Sequence, residues 1–209
     1  LNHAERRGRA GAVKVFTPGS GRGSGCYVTY KGAHLVVTAA HVFDDSSTNW
    51  VWIVRGNKKV KAHPVYFDKG EDIGLLATKP MDMVTPTKLN VRTPYPPVGE
   101  ELTYSGYPGR HDLLTIRGEV VGYQKIWDER EKIVIHTYGW PGASGSCFFD
   151  KRGRMAGVLV AIPIGKGYVP QLLESMIFAT PIKVLDLDKL DKNLCTLQPD
   201  IRPSFCSKK

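Results

Sequence analysis

The chain has 209 residues, 42% hydrophobic and 23% charged, enough to bury a substantial core as one domain or as two small ones sharing an interface. That composition excludes a disordered chain, and no apolar run approaches the roughly 20 residues a membrane-spanning helix needs. Lys and Arg exceed Asp and Glu to give a formal net charge of +9, which favours approach to RNA or an acidic partner and equally serves solubility.

Residues 1–11 carry Arg6, Arg7 and Arg9 and are expected to form a basic arm. The start at Leu1, without the basic-then-apolar layout of a signal peptide, is expected to reflect processing of a soluble protein. Short β-type runs follow: AVKVF (12–16), CYVTY (26–30), HLVVT (34–38), WVWIV (50–54) and DIGLLAT (72–78). They assign 12–92 to a first β unit, and the Pro-rich stretch TPYPPVGEE (93–101) reads as a linker. A second unit over 102–180 contains LTYSGY, GEVVGY, KIVIHTY, SCFF, MAGVLVA and MIFAT. Gly, Pro and charged clusters separate the runs at close spacing, as antiparallel all-β structure requires and βαβ units do not.

One helix is expected, over 181–194, with Pro181 in its first turn and Val184, Leu185, Leu187 and Leu190 on its apolar face. Residues 195–209 read as a tail. Cys26 and Cys147 lie in apolar runs and are expected to be buried free thiols. Cys195 and Cys206 suit a closed loop in an oxidising compartment, and spacing leaves that pairing open. No Cys or His spacing matches a zinc site, so no metal is expected.

Three short segments carry chemistry. VVTAAHVF places His41 just beyond an apolar strand, where its ring can project into a cleft. KGEDIGLLAT places Asp72 immediately before a strand, positioned to accept an imidazole N–H. GWPGASGS sets Ser144 between Gly142 and Gly145, whose freedom allows a sharp turn that exposes the hydroxyl and aims successive N–H groups at one point. Each segment alone is compatible with an ordinary strand end or hairpin loop. Together they give the chain order His, Asp, Ser, one of the known orders of an acyl-transfer triad.

In that order TAAH, DIGLL and GASGS resemble the signature segments of chymotrypsin/trypsin-like serine proteases. GSGCYV (23–28), GYPG (106–109), SGSCFFDKRGRMAGV and FATP (178–181) are similar to the glutamyl endopeptidase and heat-shock (high-temperature-requirement) branches, and the compact layout is similar to viral polyprotein proteases. The resemblance implies two six-stranded antiparallel Greek-key barrels with a C-terminal helix. It implies a polypeptide substrate, a His41-Asp72-Ser144 triad, an oxyanion hole from the N–H groups of Gly142 and Ser144, and no cofactor. The specificity pocket would be lined by Tyr138, Gly139, Leu159, Val160, Ala161, Ile162 and Phe178. Tyr138 stands where an Asp selects basic residues and Leu159 where a His selects Glu, so cleavage after apolar or uncharged residues is expected. Animal digestive enzymes place an Asp before the nucleophile to pair with a new N-terminal amine; Ala143 stands there, so that activation switch is not expected. A viral origin implies polyprotein processing in the host cytoplasm, a bacterial one secretion. The alternative is a non-catalytic protein of this fold that binds RNA or an acidic partner through its basic surface.

Overall fold

The computed structural model describes residues 1–44, 49–91, 94–109, 111–126, 129–161, 164–165, 171–172 and 175–207. Alternation along the first strands decides which face turns inward: in β1 (Ala12–Phe16), Val13 and Val15 are buried while Lys14 and Phe16 lie on the outer face. β2 (Arg22–Tyr30), β3 (Ala33–Thr38), β4 (Val51–Arg55), β5 (Lys58–Asp68) and β6 (Ile73–Thr78) continue the sheet. The order β1-β4-β5-β6-β3-β2 closes by antiparallel pairing of β2 with β1, and short β7 (Thr87–Lys88) runs parallel to β2.

The second barrel is built from β8 (Glu101–Gly106), β9 (Leu114–Ile126), β10 (Arg130–His136), β11 (Cys147–Phe149), β12 (Met155–Ala161) and β15 (Met176–Pro181). It closes in the order β10-β15-β12-β11-β8-β9. β13 (Ile164–Gly165) and β14 (Gln171–Leu172) pair as a separate two-stranded ribbon. The all-β, two-barrel architecture with a C-terminal helix therefore holds. Val13, Val15, Val36, Ile53 and Leu76 belong to one apolar core; Leu102, Tyr104, Ile133, Phe148 and Leu159 belong to another.

β5 completes the first barrel and was not expected. KKVKAHPVYFD alternates, but its outer face carries Lys59, Lys61 and His63, and Pro64 interrupts the run. The proline is accommodated because the register against β6 shifts between Pro64 and Tyr66, a bulge at which a ladder donor can be spared.

Four further expectations are corrected. Residues 1–11, expected as a basic arm, hold helix α1 (His3–Gly11), started by a capping box between Asn2 and Glu5. The helix docks on the second barrel: Gly8 leaves room for the Phe149 ring, and Arg9 donates to the Leu113 carbonyl at 3.0 Å. The helix expected over 181–194 begins later, as α2 (Leu187–Leu194) capped by Asp186, because Pro181 closes β15 and a 3-10 turn intervenes. Residues 195–207, expected as a loose tail, fold back under a Cys195–Cys206 disulfide, with Leu197, Ile201 and Phe205 packed on the core.

The fourth correction concerns Cys26 and Cys147, which are joined rather than free. Their disulfide bridges β2 of one barrel to β11 of the other across 121 residues. Loop closure of that length contributes on the order of 4–5 kcal/mol in the chain-entropy account.

Glu5 ties α1 to the second barrel and makes stability depend on pH. Its carboxylate pairs with Arg117 on β9 and accepts the Asn2 N–H. The Arg117 hydrogen bond, followed by that of Asn2, holds its pKa below the ordinary carboxylate value. A lowered folded pKa means that Glu5 stabilises the fold above the unfolded carboxylate range, and that the contribution is lost as pH falls through the folded value. Urea unfolding across pH 3–7 is expected to show a shallower acid loss in Glu5→Gln than in the parent protein; identical slopes would contradict the assignment.

Candidate active site

The three chemistry-bearing segments meet at the junction of the barrels. β3 ends at Thr38, and the 3-10 turn Ala40–Val42 carries His41 out of the first barrel with its side chain about half exposed. Asp72 immediately precedes β6, the antiparallel neighbour of β3, which places its carboxylate beside that turn. One Asp72 oxygen, Oδ2, lies 2.7 Å from His41 Nδ1, and the other, Oδ1, accepts the His41 backbone N–H at 2.8 Å. Both acceptors on one carboxylate fix the ring's direction and place the proton on Nδ1, leaving Nε2 with a free lone pair.

Asp72 holds a backbone φ of +56°, a conformation Asp tolerates better than most residues. Its neighbour Glu71 is pinned by the second barrel. Lys132, fully buried on β10, donates to Glu71 Oε2 at 2.8 Å and to its carbonyl at 3.0 Å, and Thr180 Oγ1 donates to the same carbonyl at 2.5 Å. Arg130 pairs with the second carboxylate oxygen at 2.9 Å. The strained start of β6 is therefore held from the opposite barrel.

Ser144 sits in the turn between β10 and β11. Gly142 (φ +100°) and Gly145 (φ +90°) adopt conformations that favour glycine. A Cβ at Gly145 would collide with the Ser24 carbonyl and the Thr38 hydroxyl, so the turn is pressed against the strand end that leads to His41. The Ser144 carbonyl accepts the Ser24 N–H at 2.7 Å. Among the described residues no hydrogen bond joins the Ser144 hydroxyl to the His41 ring, as is common before substrate binds.

Within the turn the backbone donors divide. The Ala143 N–H is taken by the Trp140 carbonyl at 3.0 Å, whereas the N–H groups of Gly142 and Ser144 have no protein partner among the described residues. The Pro141 carbonyl accepts the Gly109 N–H at 2.6 Å. In a trans peptide C=O and N–H point oppositely, so the Gly142 N–H is directed away from Gly109. Ala143 is wholly buried in the second core.

Ser24 is the component that sequence reasoning missed. Buried on β2, its hydroxyl donates to the Gly142 carbonyl at 2.8 Å and accepts the Tyr107 N–H at 3.0 Å. Its carbonyl accepts the Thr38 hydroxyl at 2.7 Å. GSGCYV drew notice only as a strand motif, because the contact that gives Ser24 its role spans 118 residues. Ser24→Ala leaves the Gly142 carbonyl and the Tyr107 N–H unpaired and is expected to cost about 1–3 kcal/mol of stability, read by urea unfolding.

The expected pocket residues separate. Tyr138 is exposed, and its carbonyl accepts the Tyr104 hydroxyl at 2.8 Å; burial pushes the Tyr104 pKa up, keeping that donor protonated. Tyr138 borders a cavity of about 590 Å³ that also reaches Glu101, Arg117, Glu119, His136 and Ser175, none of which was singled out from sequence. Gly139 is buried. Leu159 is a correction: it is 0% exposed within the second core and presents no surface to a bound side chain. Val160 is buried, and Ala161 and Phe178 are half-buried, all packing against the first-barrel cluster. Ile162 lies outside the described residues.

The profile of the trypsin-like peptidase domain family matches residues 23–158, which include all three segments. No curated protein sequence shows significant similarity to the chain. Among solved structures, an inactive form of Rv3671c from M. tuberculosis superposes with a TM-score of 0.69 at 20% identity, covering 94% of this chain and 93% of that one. The HtrA-type protease AlgW, solved with a tripeptide, superposes at 0.70 with 19% identity over 87% of this chain and 59% of its own. The serine endoprotease from Yersinia pestis gives 0.69 at 19% identity, over 90% and 65%.

Proposed function

From the premise that the chain belongs to the trypsin-like peptidase family and is a serine endopeptidase, we propose that it cleaves peptide bonds through an acyl-enzyme formed on Ser144. The observation that carries this reading is the paired acceptance by Asp72 of the His41 ring and backbone, beside a turn that leaves two N–H donors unengaged. Asp72 holds His41 with Nε2 ready to accept a proton. Ser144 Oγ attacks the scissile carbonyl as its proton passes to Nε2, and the negative charge on the carbonyl oxygen is met by the N–H groups of Gly142 and Ser144. Collapse releases the amine, which takes the proton from His41. Water then repeats the sequence on the acyl-enzyme, returning Ser144 and a free carboxylate.

The accepted side chain is apolar or otherwise uncharged. By resemblance Tyr138 stands where an acid would pair with Lys or Arg, and an unpaired charge in a closed pocket is costly. Ala143, buried among apolar side chains, has no carboxylate to pair with an N-terminal amine, so activity does not await that ion pair: the protein is competent once folded or is regulated in another way. On the resemblance in layout, processing of a viral polyprotein is one biological setting for this activity, and a secreted bacterial peptidase is the other. Mass-spectrometric mapping of cut sites in a denatured proteome, comparing the parent protein with Ser144→Ala, tests the specificity. Ala, Leu, Phe or Gln is expected before the cut; a profile dominated by Glu, Lys or Arg would contradict it.

A further inference from the structure

The basic charge of the chain is not spread evenly. Residues 12–30 and 49–67, which span β1, β2, β4 and nearly all of β5, contain no Asp or Glu. On the outer face of this sheet the antiparallel register aligns Arg22, Phe16, Trp52 and Lys61 as direct cross-strand neighbours. Lys59 stands opposite Val54 one step along the same face. Trp50 packs edge-on against Trp52 with ring centroids 5.1 Å apart.

The lysines lie over the indoles. Lys61 Nζ is 4.4 Å from the Trp50 ring and 5.6 Å from that of Trp52, and Lys59 Nζ is 4.6 Å from the Trp52 ring. Lys59, Lys61 and Arg22 are exposed, and Trp50, Trp52 and Phe16 are half-buried. Two acids beyond these segments are engaged by other lysines: Asp82 by Lys58 at 2.9 Å and Asp200 by Lys79 at 3.0 Å. A barrel needs neither indole on its solvent side, since Val51 and Ile53 fill the interior from the same strand.

We propose that this face binds single-stranded nucleic acid. Rows of aromatic rings flanked by cations suit a chain of flat bases joined by phosphates: bases stack on Trp50, Trp52 and Phe16 while phosphates draw Lys59 and Lys61 off the rings. Strand spacing makes the four-residue row about 14 Å long, room for two to three nucleotides. An acidic peptide would satisfy the cations and leave the indoles without a partner, and a duplex would keep its bases enclosed, so the rings favour unpaired bases. The Arg22 end of the row adjoins a cavity of about 160 Å³ shared with Gly23 and Gly142, so a bound strand would start beside the catalytic turn and run away from it. This inference does not depend on the peptidase reading.

Indole fluorescence titration with a 12-nucleotide oligouridylate tests it, using Trp52→Ala and the pair Lys59→Gln/Lys61→Gln at the end of the row remote from the turn. Binding is expected to weaken about 5- to 150-fold in Trp52→Ala, the range of base stacking on aromatic side chains. In the lysine pair the slope of log K against log salt is expected to flatten by about 1.4, at about 0.7 per cation for single strands. A urea unfolding midpoint matching that of the parent protein certifies that each variant is folded, and the lysine pair alone decides the matter if Trp52→Ala does not fold. No binding, equal binding of polyglutamate or of an RNA duplex, or an unchanged affinity in folded Trp52→Ala would overturn the proposal.

Discussion

Ser144→Ala is expected to lower kcat/KM for peptide hydrolysis by about a million-fold, with the residual rate set by substrate positioning and oxyanion stabilisation alone. Removing one oxygen leaves a methyl group where the attacking atom stood and disturbs little else. The Ser144 contact that holds the turn is its backbone carbonyl on the Ser24 N–H, which alanine retains. Folding should therefore be unaltered, and an unfolding midpoint matching that of the parent protein separates lost chemistry from lost structure. A residual activity within tenfold of the parent would remove Ser144 from the mechanism.

Asp72→Asn is expected to lower kcat by about ten-thousand-fold while the fold persists. The loss follows from the two hydrogen bonds Asp72 accepts. Asparagine has one acceptor oxygen and one NH2 group. If its oxygen stays on the His41 backbone N–H, its NH2 faces Nδ1 and drives the ring proton to Nε2, where the lone pair must be free to take the serine proton. If the oxygen turns to the ring, the backbone N–H loses its partner and the 3-10 turn bearing His41 is no longer held. Rates measured at rising pH distinguish this from simple loss of charge: hydroxide-assisted recovery is expected, because the defect lies in the proton acceptor. A variant with parental kcat would show that Asp72 serves only the fold.

These outcomes rest on features of unequal visibility in the sequence. The local structure of the three segments around His41, Asp72 and Ser144 was legible because each is set by a few neighbours: a strand end, a strand start and a glycine turn. The two-barrel layout was legible for the same reason, since alternation within each strand states its own inward face. Position within the fold was less so. Leu159 was taken for a pocket wall although its side of β12 faces the core, and a strand's face cannot be assigned where both faces are buried, as along Met155–Val160. β5 was hidden because its outer face is cationic and Pro64 breaks its run at a bulge.

Long-range pairing was invisible for a physical reason. Cys26 and Cys147 each sit in an apolar strand, where a thiol and a half-disulfide look alike from neighbouring residues; only the approach of β2 to β11 joins them. α1 was missed because its polar, arginine-rich sequence lacks an apolar stripe, and its stability comes from a capping box, the Glu5–Arg117 pair and a glycine fitted to Phe149. The Ser24 clamp and the Lys132–Glu71 anchor belong to the same class. Each joins one barrel to the other beside Ser144 or Asp72 through contacts that no local motif encodes.

The central claim is that Ser144, activated by His41, is the nucleophile of a serine endopeptidase. Treating the folded protein with an organophosphonate that esterifies only activated serines, then locating the adduct by peptide mass spectrometry, tests it most directly. One adduct per chain on Ser144 is expected, lost in His41→Ala and retained at a reduced rate in Asp72→Asn. An unlabelled Ser144, or labelling undiminished by His41→Ala, would contradict the account.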